Sequence, residues 1–221
     1  MCFSTEVSLF MYMVGLGGCA LLFRAGRIPE TAFFVCTVHM QLVEAIMHYD
    51  GPRCSAVNRA VTVVGTLINH AEPLALYAGA VVSCPQRLTM FHGWVARAYG
   101  GAAAVYTTIA VAPLHCTMLS VRDDHLNWRW NEAPGHRAFY SIFLLTSVAL
   151  STVTHAPAYF AGVILMSYAA SYWVYADTHS IGAMWCFVAC LGPYVLLLPA
   201  TLKRALSGRR VRRRYGHSLV R

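Results

Sequence analysis

Three residues in one apolar stretch, Gln41, Glu44 and His48, stand at i, i+3 and i+7 and therefore share one face of a helix. A carboxylate set among apolar neighbours can act as a metal ligand, a general base or a proton carrier. Charged side chains at bilayer depth are rare, and they turn toward a partner, a cavity or water. A second stretch offers such a partner: Thr62, Gly65, Thr66, Asn69 and Glu72 fall in one arc and form a small, polar stripe. Pro73 follows directly and, lacking an N–H, leaves the carbonyl of Asn69, four residues back, without its helical donor. His70 stands about 100 degrees of helical turn away from that arc, so it and Glu72 need not serve one site.

The candidate metal ligands are Cys2, Glu44, His48 and His70, whose sulfur, oxygen and nitrogen donors suit zinc or copper. Gln41, Asn69 and Glu72 complete a polar pocket between the second and third helices. If Met1 is removed, Cys2 carries an amine and a thiol on one residue, a bidentate metal grip or a nucleophile. In a metal-assisted hydrolase or redox site, the catalytic candidates are Glu44 as ligand or general base and Cys2 as ligand or nucleophile. The competing expectation is a non-enzymatic sensor, carrier or scaffold whose acids relay protons or bind a small solute. A third is structural, with Glu44 and Glu72 as hydrogen-bonded glue of the bundle. Other potential ligands, among them Asp50, His115, Asp123, Asp124, His125, Asp177 and His179, lack any His-x-x-x-His spacing and read as solvated loop residues.

The elements that must position these residues follow from composition. Apolar residues make up 57% of the 221-residue chain and charged ones 12%, with a mean hydropathy of +0.51; soluble domains carry roughly 25% charged residues. The expected class is therefore all-α, an integral membrane bundle in the lipid bilayer. A crossing helix needs about 20 mostly apolar residues. Seven runs approach that length, at 7–23, 31–49, 60–82, 94–114, 138–155, 158–175 and 181–202. Within lipid every backbone N–H and C=O must pair internally, so these runs read as helices. The short connections after the fifth and sixth make the last three antiparallel neighbours. Gly100, Gly101, Pro73, Pro193 and Pro199 mark bends or close packing. The longest connection, from His115 to Arg137, carries Trp128 and Trp130 and is expected to lie as a lid at the outer interface. Tyr168, Tyr172 and Tyr175 form a stripe expected to pack within the bundle.

The net charge of +8 resides in the 203–221 tail, where Lys203, Arg204, Arg209, Arg210, Arg212, Arg213, Arg214 and Arg221 meet no acid. Such a cluster beside a membrane span is drawn to anionic lipid headgroups, with nucleic acid a more distant polyanion. The positive-inside rule then predicts a cytoplasmic C-terminus and, with seven spans, an N-terminus outside. Arg24, Arg27, Arg87 and Arg97 fall on the tail's side, and Arg53, Arg59, Arg122, Arg129 and Arg137 on the other. The basic residues after the first run argue against a cleaved signal peptide. Lys203 is the one lysine, so no mid-membrane lysine is present for a Schiff base, and no phosphate loop, Gly-x-Ser-x-Gly turn or His-Glu-x-x-His occurs. Cys19, Cys36, Cys186 and Cys190 lie inside apolar runs as small packing residues; a bridge between Cys54 and Cys116 is left open by their spacing.

The opening Met1-Cys2-Phe3-Ser4, the Gln41-Leu42-Val43-Glu44 segment and Trp185-Cys186-Phe187 together resemble an uncharacterised family of small multi-pass membrane proteins. Its members typically begin Met-Cys-Phe-Ser and carry a His-Gln-Leu-x-Glu-like segment in the second helix. Here Met40 separates His39 from Gln41, and the 85–134 region has no counterpart in the resemblance. The resemblance implies recurrence of Cys2 and Glu44, with no activity to carry over. Substrate and oligomeric state are left open.

Overall fold

A computed structural model of the chain describes residues 4–51, 54–112, 116–119, 126–175 and 180–198, and its architecture is all-α. The helices are α1 (Thr5–Arg24), α2 (Ile28–Asp50), α3 (Ala56–Ser83), α4 (Met90–Val111), α5 (His136–Leu150), α6 (Pro157–Tyr175), α7 (Ile181–Ala189) and α8 (Gly192–Leu198). Within the described residues, helix covers most of each of the seven apolar runs. Among the described residues, however, α1 and α2 alone are long and apolar enough by themselves to cross a membrane, joined by α7 and α8 if that bent pair is one span. Composition and length explain the difference: α3 carries Asn58, Asn69, His70 and Glu72, and the 15 residues of α5 reach only about 22 Å at 1.5 Å per residue.

Local chemistry sets the helix ends. Ser55 caps α3, its hydroxyl accepting from the Asn58 N–H at 2.9 Å, and the same hydroxyl donates to the Asp50 carboxyl. Gly51, at φ 78°, makes the turn between α2 and α3 in a conformation that side chains with a Cβ seldom adopt. Within the 181–202 run the helix bends where Pro193 marks it: α7 stops at Ala189, and α8 resumes at Gly192 with a bend of 41°. Pro193 explains the break, since it cannot donate to the Ala189 carbonyl.

α2 is the central helix, packing on α1, α3 and α7. Small residues permit the close approach. A Cβ on Gly15 of α1 would collide with Val38, and one on Gly79 of α3 would stand 2.8 Å from the Cα of Pro29. The outward face of the other long helices is apolar: Phe10, Met13, Leu67, Val82, Trp94, Val105, Leu145, Met166, Trp173 and Leu198 are all exposed. The interior, by contrast, holds Glu30, Gln41, Glu44, Asn58, Asn69, His70 and Glu72. This inverts the ordinary soluble pattern, in which charged side chains stay outside.

At one end of the bundle, the loop end, the connection between α4 and α5 is stitched to α3. Cys54 and Cys116 form a disulfide with Cα atoms 5.4 Å apart. Beside it, the Asn58 amide takes both backbone groups of Thr117, donating to its carbonyl and accepting from its N–H, each at 3.0 Å. Two short strands follow, β1 (Met118–Leu119) and β2 (Leu126–Asn127), paired antiparallel. The expected interfacial lid is instead a plug: Trp128 and Trp130 are each 1% exposed and stack at 4.8 Å between centroids. A Cβ on Gly65 would lie 3.3 Å from Trp130, so the glycine makes room for the indole. The Tyr106 hydroxyl donates to the Trp130 carbonyl at 2.6 Å.

Asn58→Ala is expected to leave the Thr117 carbonyl buried without its donor, at a cost of about 1–3 kcal/mol, while the Thr117 N–H loses one of its two acceptors and keeps the Thr62 hydroxyl at 3.2 Å. Hydrogen exchange checks this: protection of the Thr117 amide should fall while that of α1 stays unchanged.

Candidate functional site

The polar faces of α2 and α3 meet within the bundle. On α2, Gln41 Nε2 donates to Glu44 Oε2 at 2.8 Å, leaving Glu44 Oε1 buried and without a hydrogen bond. On α3, Glu72 is 0% exposed and neither carboxyl oxygen closes a hydrogen bond, although the side chains of Thr37 and Asn69 face it. Asn69 Oδ1 accepts from the Tyr140 hydroxyl of α5 at 2.9 Å, and its Nδ2 is left without a partner. Neither acid has an ion-pair partner among the described residues. Both carboxyls lie within electrostatic reach of the same two buried thiols of α7 and its end, Cys186 and Cys190. The α2–α3 register, with Gly65 opposite Met40 and Val43 and Gly79 opposite Pro29, places Glu72 nearer the tail end of the interface than Glu44.

A small cavity of ≈ 70 Å³ leads from the loop end to this seam, lined by Asn69, His136, Tyr140, Tyr168, Ile181, Gly182 and Trp185. Its walls are mainly aromatic. Trp185 offers only ring surface there, because its Nε1 donates to the Ser167 hydroxyl at 2.9 Å. Toward the opposite end, the tail end, the rings of Phe33, Phe34 and Phe160 pack edge to face at centroid separations of 5.2 to 6.0 Å. The cavity thus reaches the seam at Asn69, from the loop end.

His70 is separated from this site, as its angular position on α3 implies. Its Nδ1 is hydrogen-bonded to Thr107 of α4 at 2.6 Å, and its ring sits 4.6 Å from Phe139 and 5.4 Å from Tyr106. Its carbonyl accepts from the Tyr99 hydroxyl at 2.8 Å, so α4 supplies a donor one residue on from the carbonyl that Pro73 leaves open. Glu44, His48 and His70 do not come together, and no group of three or more His, Cys, Asp or Glu side chains among the described residues can hold a metal ion. The physical reason is helical rotation: Glu44 turns into the seam, whereas His70 turns toward α4. Cys2 lies outside the described residues, so its part in the zinc or copper expectation does too.

Gln41, Glu44, Asn69 and Glu72, singled out by spacing, are brought to one seam. Tyr140 borders it through its hydrogen bond to Asn69; the sequence does not distinguish this tyrosine, which is one of seven hydroxyl side chains in the fifth apolar run. Cys186 and Cys190, which read as packing residues, stand one turn apart in the seventh. Protein-family models, curated proteins and solved structures give no match to the chain. Function is accordingly argued from the site alone.

Proposed function

We propose that this chain is a seven-span membrane protein, with α7 and α8 together as the bent last span, whose buried acids take up protons or a small polar solute from the loop end. One observation carries the reading: Glu72, fully buried in a bundle with an apolar exterior, has two carboxyl oxygens without hydrogen bonds. A polar group buried unpaired costs about 1–3 kcal/mol on mutational scales. Such a cost is tolerated where the group has work to do, and intramembrane acids mark proton relays and solute paths. The broken seventh span beside the acids supports the same reading, because discontinuous helices at membrane depth line the binding sites of carriers. A carrier or sensor is favoured over a metal-assisted hydrolase because Glu44 and His70 point apart.

The orientation proposed is N-terminus outside and C-terminus cytoplasmic. Two features support it: the 203–221 basic cluster, which suits an anionic cytoplasmic surface, and the Cys54–Cys116 disulfide at the opposite end, since disulfides persist in oxidising compartments.

The test uses the full chain in vesicles loaded with a pH-sensitive dye and exposed to an acid step outside. Wild type should acidify the lumen faster than empty vesicles, and Glu72→Gln should fall to the empty rate. A thermal-shift panel of small amides, ammonium ions and carboxylates covers the solute arm, with any shift expected to vanish in Glu72→Gln. If both variants acidify alike and no solute shifts either, the proposal is lost. In cells, an impermeant thiol reagent should label Ser218→Cys, in a Cys2→Ser background, only after permeabilisation; labelling of intact cells would reverse the orientation.

A further inference from the structure

Four polar side-chain atoms of the α2–α3 seam are buried without a hydrogen bond, and their chemistry is uneven. Three are carboxyl oxygens, Glu44 Oε1 and both of Glu72, and one is a donor, Asn69 Nδ2. Asn69 is 1% exposed, and its side chain faces Glu72 and lines the cavity that opens at the loop end. Buried carboxylates are stable when paired. The group that would pair Glu72 supplies N–H donors and positive charge.

The walls of the cavity suit the same kind of group. The rings of Tyr168 and Trp185 stand at 81° to one another with centroids 5.8 Å apart, and Phe143 packs edge to face on the indole at 5.4 Å, which fixes it. With its N–H spent on Ser167, the indole presents its ring. Ring faces carry the negative side of the aromatic quadrupole and attract cations within about 6 Å. Tyr140 donates its hydroxyl proton to Asn69 Oδ1 at 2.9 Å, so the phenol oxygen and a second lone pair on Oδ1 remain as acceptors. At the mouth, His136 Nδ1 is bonded to the Ala133 carbonyl at 3.3 Å. A carbonyl only accepts, so Nδ1 carries the proton and Nε2 of the neutral ring is one more acceptor. No lysine or arginine lines the cavity. Its volume of ≈ 70 Å³ admits about two to five heavy atoms, taking roughly 15 to 30 Å³ for each water-sized group.

We infer that this cavity binds a small ammonium cation, ammonium itself or a short alkylammonium, against the rings of Tyr140, Tyr168 and Trp185, with Glu72, one turn of α3 beyond Asn69, as its counter-charge. The inference rests on the uptake reading above and names its solute. A carboxylate of the same size is refused by the ring faces and by Glu72. A neutral amide fits but gains neither attraction.

Isothermal titration of the full chain in neutral detergent micelles tests this with four probes. Ethylammonium, formamide and formate have the same number of heavy atoms and differ in charge; tetraethylammonium keeps the charge and exceeds the volume. Wild type should bind ethylammonium at least about tenfold tighter than formamide or formate, and tetraethylammonium should not bind. Tyr168→Leu and Trp185→Leu should each weaken ethylammonium about tenfold, while Tyr168→Phe, which keeps the ring, should hold the wild-type affinity. Glu72→Gln should lose the preference for ethylammonium over formamide. Equal binding of the three matched probes by wild type overturns the inference without recourse to any variant that melts early. So does undiminished affinity in both ring-removing variants. Ethylammonium ignored by wild type, with vesicle acidification still dependent on Glu72, defeats the cation site and spares proton uptake. Full preference for ethylammonium in Glu72→Gln, with acidification alike in both proteins, defeats the uptake reading as well.

Discussion

Glu72→Leu should make the bundle more stable, not less, raising unfolding free energy in mixed micelles by about 1–3 kcal/mol. The sign follows from the site: the carboxyl is fully buried, neither oxygen closes a hydrogen bond, and no ion-pair partner is present among the described residues. Replacing a buried polar group that lacks partners with an apolar one of similar size removes its desolvation cost and keeps the volume filled. The gain should come with loss of proton or solute uptake, the usual trade between stability and function at strained sites. Glu44→Leu should behave differently, because Gln41 Nε2 would lose its acceptor at 2.8 Å and be left buried. If Glu72→Leu instead destabilises the protein by more than about 1 kcal/mol, the acid is bundle glue, and the functional reading fails with it.

Trp130→Ala should cost about 3–5 kcal/mol, the range for truncating a large buried aromatic side chain. Trp130 is stacked on Trp128 and seated against Gly65 in the gap between α2 and α3, near Met40 and Val43. Without the indole the gap becomes a void directly over the segment that carries Gln41 and Glu44. The Tyr106 hydrogen bond reaches the backbone carbonyl of Trp130, so the hairpin retains that anchor and the disulfide, and the loss should be local. Trp130→Phe should recover part of the stability. Equilibrium unfolding measures the first effect; hydrogen exchange in the loop-end halves of α2 and α3 measures the second. Loss of less than about 1 kcal/mol would mean that the tryptophans rest on the bundle and do not plug it.

Several features of this chain were legible in its residues. The period of Gln41 and Glu44, and that of Thr62, Gly65, Thr66, Asn69 and Glu72, predicts polar faces on two neighbouring helices, and α2 and α3 do pack with those faces inward. Helical rotation also separates His70 from Glu72 in advance of any structure, because residues two apart point in widely different directions. Where the reading went astray, the cause was the same in each case: a one-dimensional pattern does not report what stands opposite a face. Trp128 and Trp130 have the amphipathic character of interfacial residues, yet the absence of a side chain at Gly65 lets them descend into the core. Shared membrane side suggested that Glu44, His48 and His70 might gather round a metal, yet rotation about two helix axes points them apart. The bend that Pro193 marks within 181–202 was, by contrast, readable, because the missing N–H is a property of the residue itself.

Sequence alone therefore determined the helical class, the polar seam of α2 and α3 and the concentration of charge in the tail, because each depends on residue type and on a spacing that the helix itself imposes. Only tertiary structure decided the rest: the Cys54–Cys116 pairing, the tryptophan plug, the burial of Glu72 without a hydrogen bond, and the aromatic-walled cavity at Asn69. These depend on which surfaces remain facing one another after packing. That is settled by close approach at glycines such as Gly15, Gly65 and Gly79, where the deciding property is a missing atom.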